Sequence, residues 1–264
     1  MPGNIWAKTL RDLRGQILVW SLGLTALAAA NVLFFPSFQH MPGLVPFLEH
    51  LPPVVKALMG DVQAVTRLEG FLRPKLFDPL PLLLAIFVVS QGARALAGEV
   101  EHRSVDLLMA QPIRRRRVVL EKYLAVASAA VVLCIALAAS LVVCSRIIDS
   151  EARAGHLLLA SLNALPLTWL FAGLAVLGSS LTSRPRRASL LAGSIVVGSY
   201  VFDTLQLLSP VLARWRALSL FAHYKASYSL SGDISPGPIL LLLGMAVVLV
   251  AAAAAAWERR DLLS

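Results

Sequence analysis

Ser199, Asp203 and Gln206 stand at i, i+4 and i+7 in an otherwise apolar run, so a helix there carries all three on one face. A second apolar run places Ser90, Gln91 and Arg94 three and four residues apart. Side chains of these types either line a polar route across an apolar slab or hydrogen-bond one helix to the next. Both readings stand for Gln91, Ser199, Asp203 and Gln206. Arg94, close to the end of its run, also has the length to snorkel toward water. Asn31 and Asn163 are weaker instances of the same pattern. A charge at the centre of a membrane span costs about 2.5–3.5 kcal/mol on insertion, so Asp203 has to face protein or water.

Other chemistry is poorly supported. The chain has no GxxxxGK[ST] phosphate loop, no HExxH and no GxSxG, so no catalytic or metal residue is assigned and no nucleotide cofactor is expected on this chain. Any ATP used must be hydrolysed by another chain. Asp203 with His223 is too little for an intramembrane enzyme, and His40 and His50 lack the accompanying ligands of a metal site. Cys134 and Cys144 lie ten residues apart on one apolar helix, a rise of about 15 Å, too far for a disulfide and suited to packing.

The elements that must position these residues follow from composition. Of 264 residues 58% are apolar and 15% charged, against about 45–50% and 25% in soluble domains. This is an integral membrane protein. Its net charge of +9 falls between hydrophobic segments and lacks a basic-aromatic surface, which excludes a nucleic-acid partner.

The expected fold is an all-α membrane domain occupying residues 1–264, with spans at about 17–35, 80–97, 118–143, 156–181, 188–208 and 239–257. Residues 4–16 carry Ile5, Trp6, Leu10 and Leu13 opposite Lys8, Arg11, Asp12 and Arg14, which predicts an N-terminal interfacial helix. The first span should break at Pro36, and Pro166 should kink the fourth. Loops 36–79 and 209–238 fall on one side, the first holding short surface helices. Lys and Arg divide 15 to 9 between alternate connections, placing both termini in the cytoplasm and the two loops outside, in a cell (plasma or inner) membrane.

Residues 98–124, GEVEHRSVDLLMAQPIRRRRVVLEKYL, form a charged island between the second and third spans. Val105, Leu108, Met109 and Pro112 repeat at i, i+3, i+4 and i+7, with Glu101 and Asp106 as acidic neighbours. An amphipathic helix stopped by the proline fits that spacing, and so does a plain interfacial segment. Arg114, Arg115, Arg116 and Arg117 near the start of the next helix meet an unfavourable macrodipole, about 0.3–1 kcal/mol each. Anionic lipid returns about 1 kcal/mol per basic residue, so these arginines are read as topology and lipid-surface residues.

The same island resembles the segment after the second span in permease subunits of type 2 ATP-binding-cassette (ABC) exporters. Matching positions are Glu99 and Glu101, Leu107 and Leu108, Pro112, the four arginines and Lys122; Arg103 and Ser104 stand where that family has glycine and threonine. The tryptophan-containing first span, EGF at residues 69–71, the aromatic loop after the fifth span and the terminal ERRDL extend the resemblance over nearly the whole chain.

The resemblance implies a six-span half-transporter, drug-exporter-like, working by alternating access. Its partners would be two cytoplasmic ABC ATPase subunits, which hold ATP and Mg, and a second permease, a homodimer in preference to a heterodimer. Glu101, Ser104, Val105, Asp106, Leu108 and Met109 would form the ATPase-coupling helix, and the second and fifth spans would line the path at the dimer interface. The few charges in that path suit an amphipathic or hydrophobic substrate, drug-like or lipid. The alternative is a membrane scaffold that anchors a cytoplasmic partner and transports nothing.

Overall fold

The computed structural model describes residues 5–39, 67–101, 114–206, 208, 210–226 and 235–259. Its elements are α1 (Ile5–Gln39), α2 (Leu68–Leu72), a π turn (Arg73–Phe77), α3 (Leu80–Glu101), α4 (Arg115–Ile147), α5 (Ala154–Asn163), α6 (Leu165–Leu181), α7 (Pro185–Gln206), a single helical turn (Pro210–Ala213), a 3-10 turn (Arg216–Leu218), α8 (Leu220–Ala226) and α9 (Pro236–Glu258). No strand occurs among the described residues. Counting α2 with α3 and α5 with α6, six helical segments are long and apolar enough to cross a membrane. The protein is an all-α, multi-pass membrane protein.

α6 is the hub, packing against α3, α4, α7 and α9. Its sequence explains why: Ala172, Gly173, Ala175, Gly178, Ser179 and Ser180 are all buried, and small residues let neighbouring backbones approach on every side. A Cβ on Gly92 of α3 would lie 2.8 Å from the Ala175 Cβ, and one on Gly173 3.3 Å from the Ala246 carbonyl of α9. α1 lies against α4 through one stripe, Leu13, Ile17, Leu24, Ala28, Val32 and Phe35. α7 is peripheral; Ala188, Ala192, Val196, Asp203 and Gln206 face inward, while Leu190, Leu191, Ile195, Val197, Val201 and Leu205 are exposed.

Several boundaries differ from the sequence expectation. Residues 5–16 are not a separate interfacial helix but the opening turns of α1, because nothing between Gln16 and Ile17 breaks the helix and Leu13 and Ile17 share its buried stripe. α1 also passes through Pro36 to Gln39. The fourth span is two helices meeting at Ala164, with Pro166 in the first turn of α6, a break where a kink was expected.

Residues 68–77, expected on the surface, are buried on one side. Phe71 sits between Phe35 and Phe38 of α1, ring centroids 5.2 and 4.9 Å away. Behind it, Asp78 N–H reaches back five residues to the Arg73 carbonyl at 2.8 Å, a π turn containing Pro74, which has no N–H to give. The rest of the expected surface helices, 40–66, lies outside the described residues.

Candidate functional site

Polar groups gather at the two ends of the bundle. At the end bearing both termini, α3 finishes at Glu101 and α4 begins at Arg115, so both ends of the 102–113 connection are fixed there. Lys122, one helical turn inside the apolar part of α4, points its ammonium at Glu99 Oε1, 2.5 Å away across to α3; its side chain is only 8% exposed. A buried ammonium requires such a partner. The preceding residue, Glu121, accepts from Arg117 at 2.5 Å and from the Trp6 backbone N–H at 3.2 Å. Trp6 also donates its indole N–H to Ser128 Oγ at 3.2 Å. Arg116 reaches Glu258 at the end of α9 at 2.5 Å. α1, α3, α4 and α9 are therefore tied together around the connection.

Two of the four arginines expected at the lipid surface also make contacts within the bundle. Arg116 and Arg117 are in ion pairs, although their side chains stay 67% and 65% exposed, and exposed pairs contribute little stability. Arg115 is half-buried, and Arg114 is exposed with extended backbone before the first turn of α4. Of the residues that the resemblance implies for ATPase coupling, Glu101 is exposed at the end of α3. Ser104, Val105, Asp106, Leu108 and Met109 lie outside the described residues.

Within α3, Ser179 of α6 enters the backbone ladder. Its hydroxyl donates to the Ala93 carbonyl at 2.8 Å and accepts from the N–H groups of Leu96 and Ala97 at 3.0 and 2.8 Å. A side chain placed in this way lets a helix bend without orphaning its backbone. On the same helix Gln91 is buried and donates to Gln16 Oε1 of α1, and also to Ser90 Oγ at 3.0 Å. Arg94, three residues on, is exposed. Gln91 and Arg94 share a helix but not an environment.

At the opposite end, Asp203 is 7% exposed and doubly engaged. Its Oδ2 accepts from Lys225 Nζ at 2.9 Å and its Oδ1 from Ser219 Oγ at 2.9 Å, fastening α7 to α8. α8 is held from two further sides. Tyr224 Oη donates to the Phe77 carbonyl at 2.6 Å, and Asn163 Nδ2 to the Tyr224 carbonyl at 3.3 Å. Phe221 and Tyr224 are buried, so this seven-residue helix is inserted into the bundle end. Gln206 Nε2 is buried without a hydrogen-bond partner among the described residues, and Ser199 is half-buried higher on α7. His223 is bonded through Nδ1 to the Ser219 carbonyl at 2.8 Å.

Two partners escaped the sequence reading. A buried aspartate demands a cation, but Arg214, Arg216 and Lys225 all follow α7, and only the fold of α8 selects Lys225. Glu99 and Lys122 both belonged to the matched motif, yet their 23-residue separation gave no sign that they touch.

No curated protein matches the chain. From residue 5 to residue 258 it matches the family described as "multidrug efflux system permease Rv1217c, C-terminal domain". With six apolar spans and a match over nearly its full length, the chain belongs to this family of multidrug efflux permeases.

Proposed function

We propose that the chain is the membrane subunit of an ATP-driven exporter, moving amphipathic or hydrophobic molecules out of the cytoplasm by alternating access. ATP and Mg are held and ATP is hydrolysed by two cytoplasmic ABC ATPase subunits, and a second permease, in preference an identical one, completes the pathway. In this orientation both termini and the 102–113 connection are cytoplasmic, as the charge distribution favours.

The observation that carries the proposal is the Glu99 to Lys122 pair at the base of that connection. A helix seated on a motor transmits force only if both of its attachments are stiff. Here α3 and α4 are bolted together directly beneath it, and α3 is hooked to the hub α6 by Ser179. Displacement of Glu101, Ser104, Val105, Asp106, Leu108 and Met109 is passed to three spans at once. ATP drives the cycle by binding one arrangement of the ATPase pair preferentially.

Gln91, Arg94, Ser199, Asp203 and Gln206 are the proposed path residues, with different standing. The bonds of Gln91 to Gln16 and of Asp203 to Lys225 also serve helix cohesion. Asp203 therefore contributes to transport by releasing Lys225, and α8 with it, when the outer end opens.

The test is co-expression with a candidate ATPase, measuring detergent-stable association and stimulated ATP hydrolysis. Leu108→Glu is expected to abolish both while the permease still folds as a monodisperse species. Undiminished association with the variant would remove the coupling role.

A further inference from the structure

The end of the bundle remote from the termini holds a cluster of phenyl rings around a cation. Phe34 and Phe38, one turn apart at the end of α1, and Phe71 of α2 surround the ammonium of Lys75. Its Nζ lies 5.9, 5.0 and 3.7 Å from the three ring centroids. Phe71 is fully buried, Phe38 half-buried and Phe34 53% exposed, so the seat has a fixed floor and an open wall.

The neighbouring carboxylates are engaged elsewhere, Asp78 with Arg73 at 3.8 Å and Glu69 with His156 at 3.2 Å. Lys75 forms no ion pair among the described residues, and ring faces take the place of a counter-ion. Lys75 follows Phe71 by four residues, and the intervening π turn sets its exposed side chain back over the ring.

We infer that this three-ring seat is a binding site for lipophilic organic monocations, and that Lys75 is its resident occupant, displaced when such a cation arrives. Ring faces attract any cation, but they favour one that gives up little hydration to reach them. A lysine ammonium is compact, strongly hydrated and carried on a flexible stem, so it returns to water easily. A quaternary cation with aromatic arms is weakly hydrated and in addition buries apolar surface against Phe34 and Phe38. The inference rests on the export reading, names a substrate class for it and places the seat on the outward side, where returning Lys75 clears the site.

Equilibrium binding of tetraphenylphosphonium to the purified permease tests it without any ATPase. Lys75→Gln is expected to tighten binding about tenfold, the order of one desolvated cation–ring contact, and Lys75→Arg to behave as wild type. Adding Phe34→Leu or Phe38→Leu to Lys75→Gln should cancel the gain. Both rings are partly exposed, and a monodisperse elution profile checks that the variants fold. Neutral triphenylphosphine oxide should not distinguish Lys75→Gln from wild type. Equal tetraphenylphosphonium affinity in wild type and Lys75→Gln, a gain shared by the neutral compound, or a gain that survives loss of the rings would overturn the seat. Any of these would leave ATP-driven export standing, and failure of ATP-driven export would leave a positive binding result intact.

Discussion

Asp203 is buried on α7, and Lys225 and Ser219 occupy both of its carboxylate oxygens. Removing one member of a buried pair costs about 3–5 kcal/mol, since the remaining charge is stranded. Lys225 is 24% exposed, so Lys225→Met should fall at the low end of that range. Lys225→Met with Asp203→Asn should recover most of the loss, because an asparagine leaves no stranded charge. Heat-induced loss of the monodisperse species measures this, and a double variant as unstable as the sum of its singles would contradict it. The same reasoning ranks the basic residues of α4. Lys122→Met should destabilise strongly, its side chain being 8% exposed against 65% for Arg117, whereas Arg117→Met should change stability by less than about 1 kcal/mol.

At the scale of elements, the bundle depends on how closely α3 approaches α6. Gly92 meets the Ala175 Cβ, so Gly92→Ala forces the two helices apart and should cost about 1–3 kcal/mol. Gly244, with nothing within 4 Å of an added Cβ, is the control; Gly244→Ala should be neutral or slightly stabilising, alanine being the better helix former. Thermal stability of the two variants decides between this and a loosely packed interface, which would treat them alike. Ser179→Ala removes a hydroxyl bonded to three backbone groups of α3. It should lower ATPase coupling more than stability, because the helix can close its own ladder once the hydroxyl is gone.

For the whole molecule, the sequence made the six spans legible because twenty-residue apolar runs between basic connections leave little choice of fold. The continuity of α1 was not legible. Alternating polar and apolar residues at 5–16 look the same whether the apolar face meets lipid or α4. The burial of residues 68–77 was hidden for a similar reason, since it depends on Phe35 and Phe38 arriving from a segment distant in sequence. Asp203 could be picked out as a buried charge, but its partner could not, because that choice belongs to the docking of α8. On the proposed mechanism, this permease moves substrate only when an ATPase drives it through the 102–113 connection. ATP-dependent accumulation of a fluorescent amphipathic drug in inverted vesicles tests that most directly. Permease and ATPase together should accumulate the drug, while either chain alone, or the pair carrying Leu108→Glu, should not. Accumulation undiminished by Leu108→Glu, or no accumulation of any drug by the assembled pair, would contradict it.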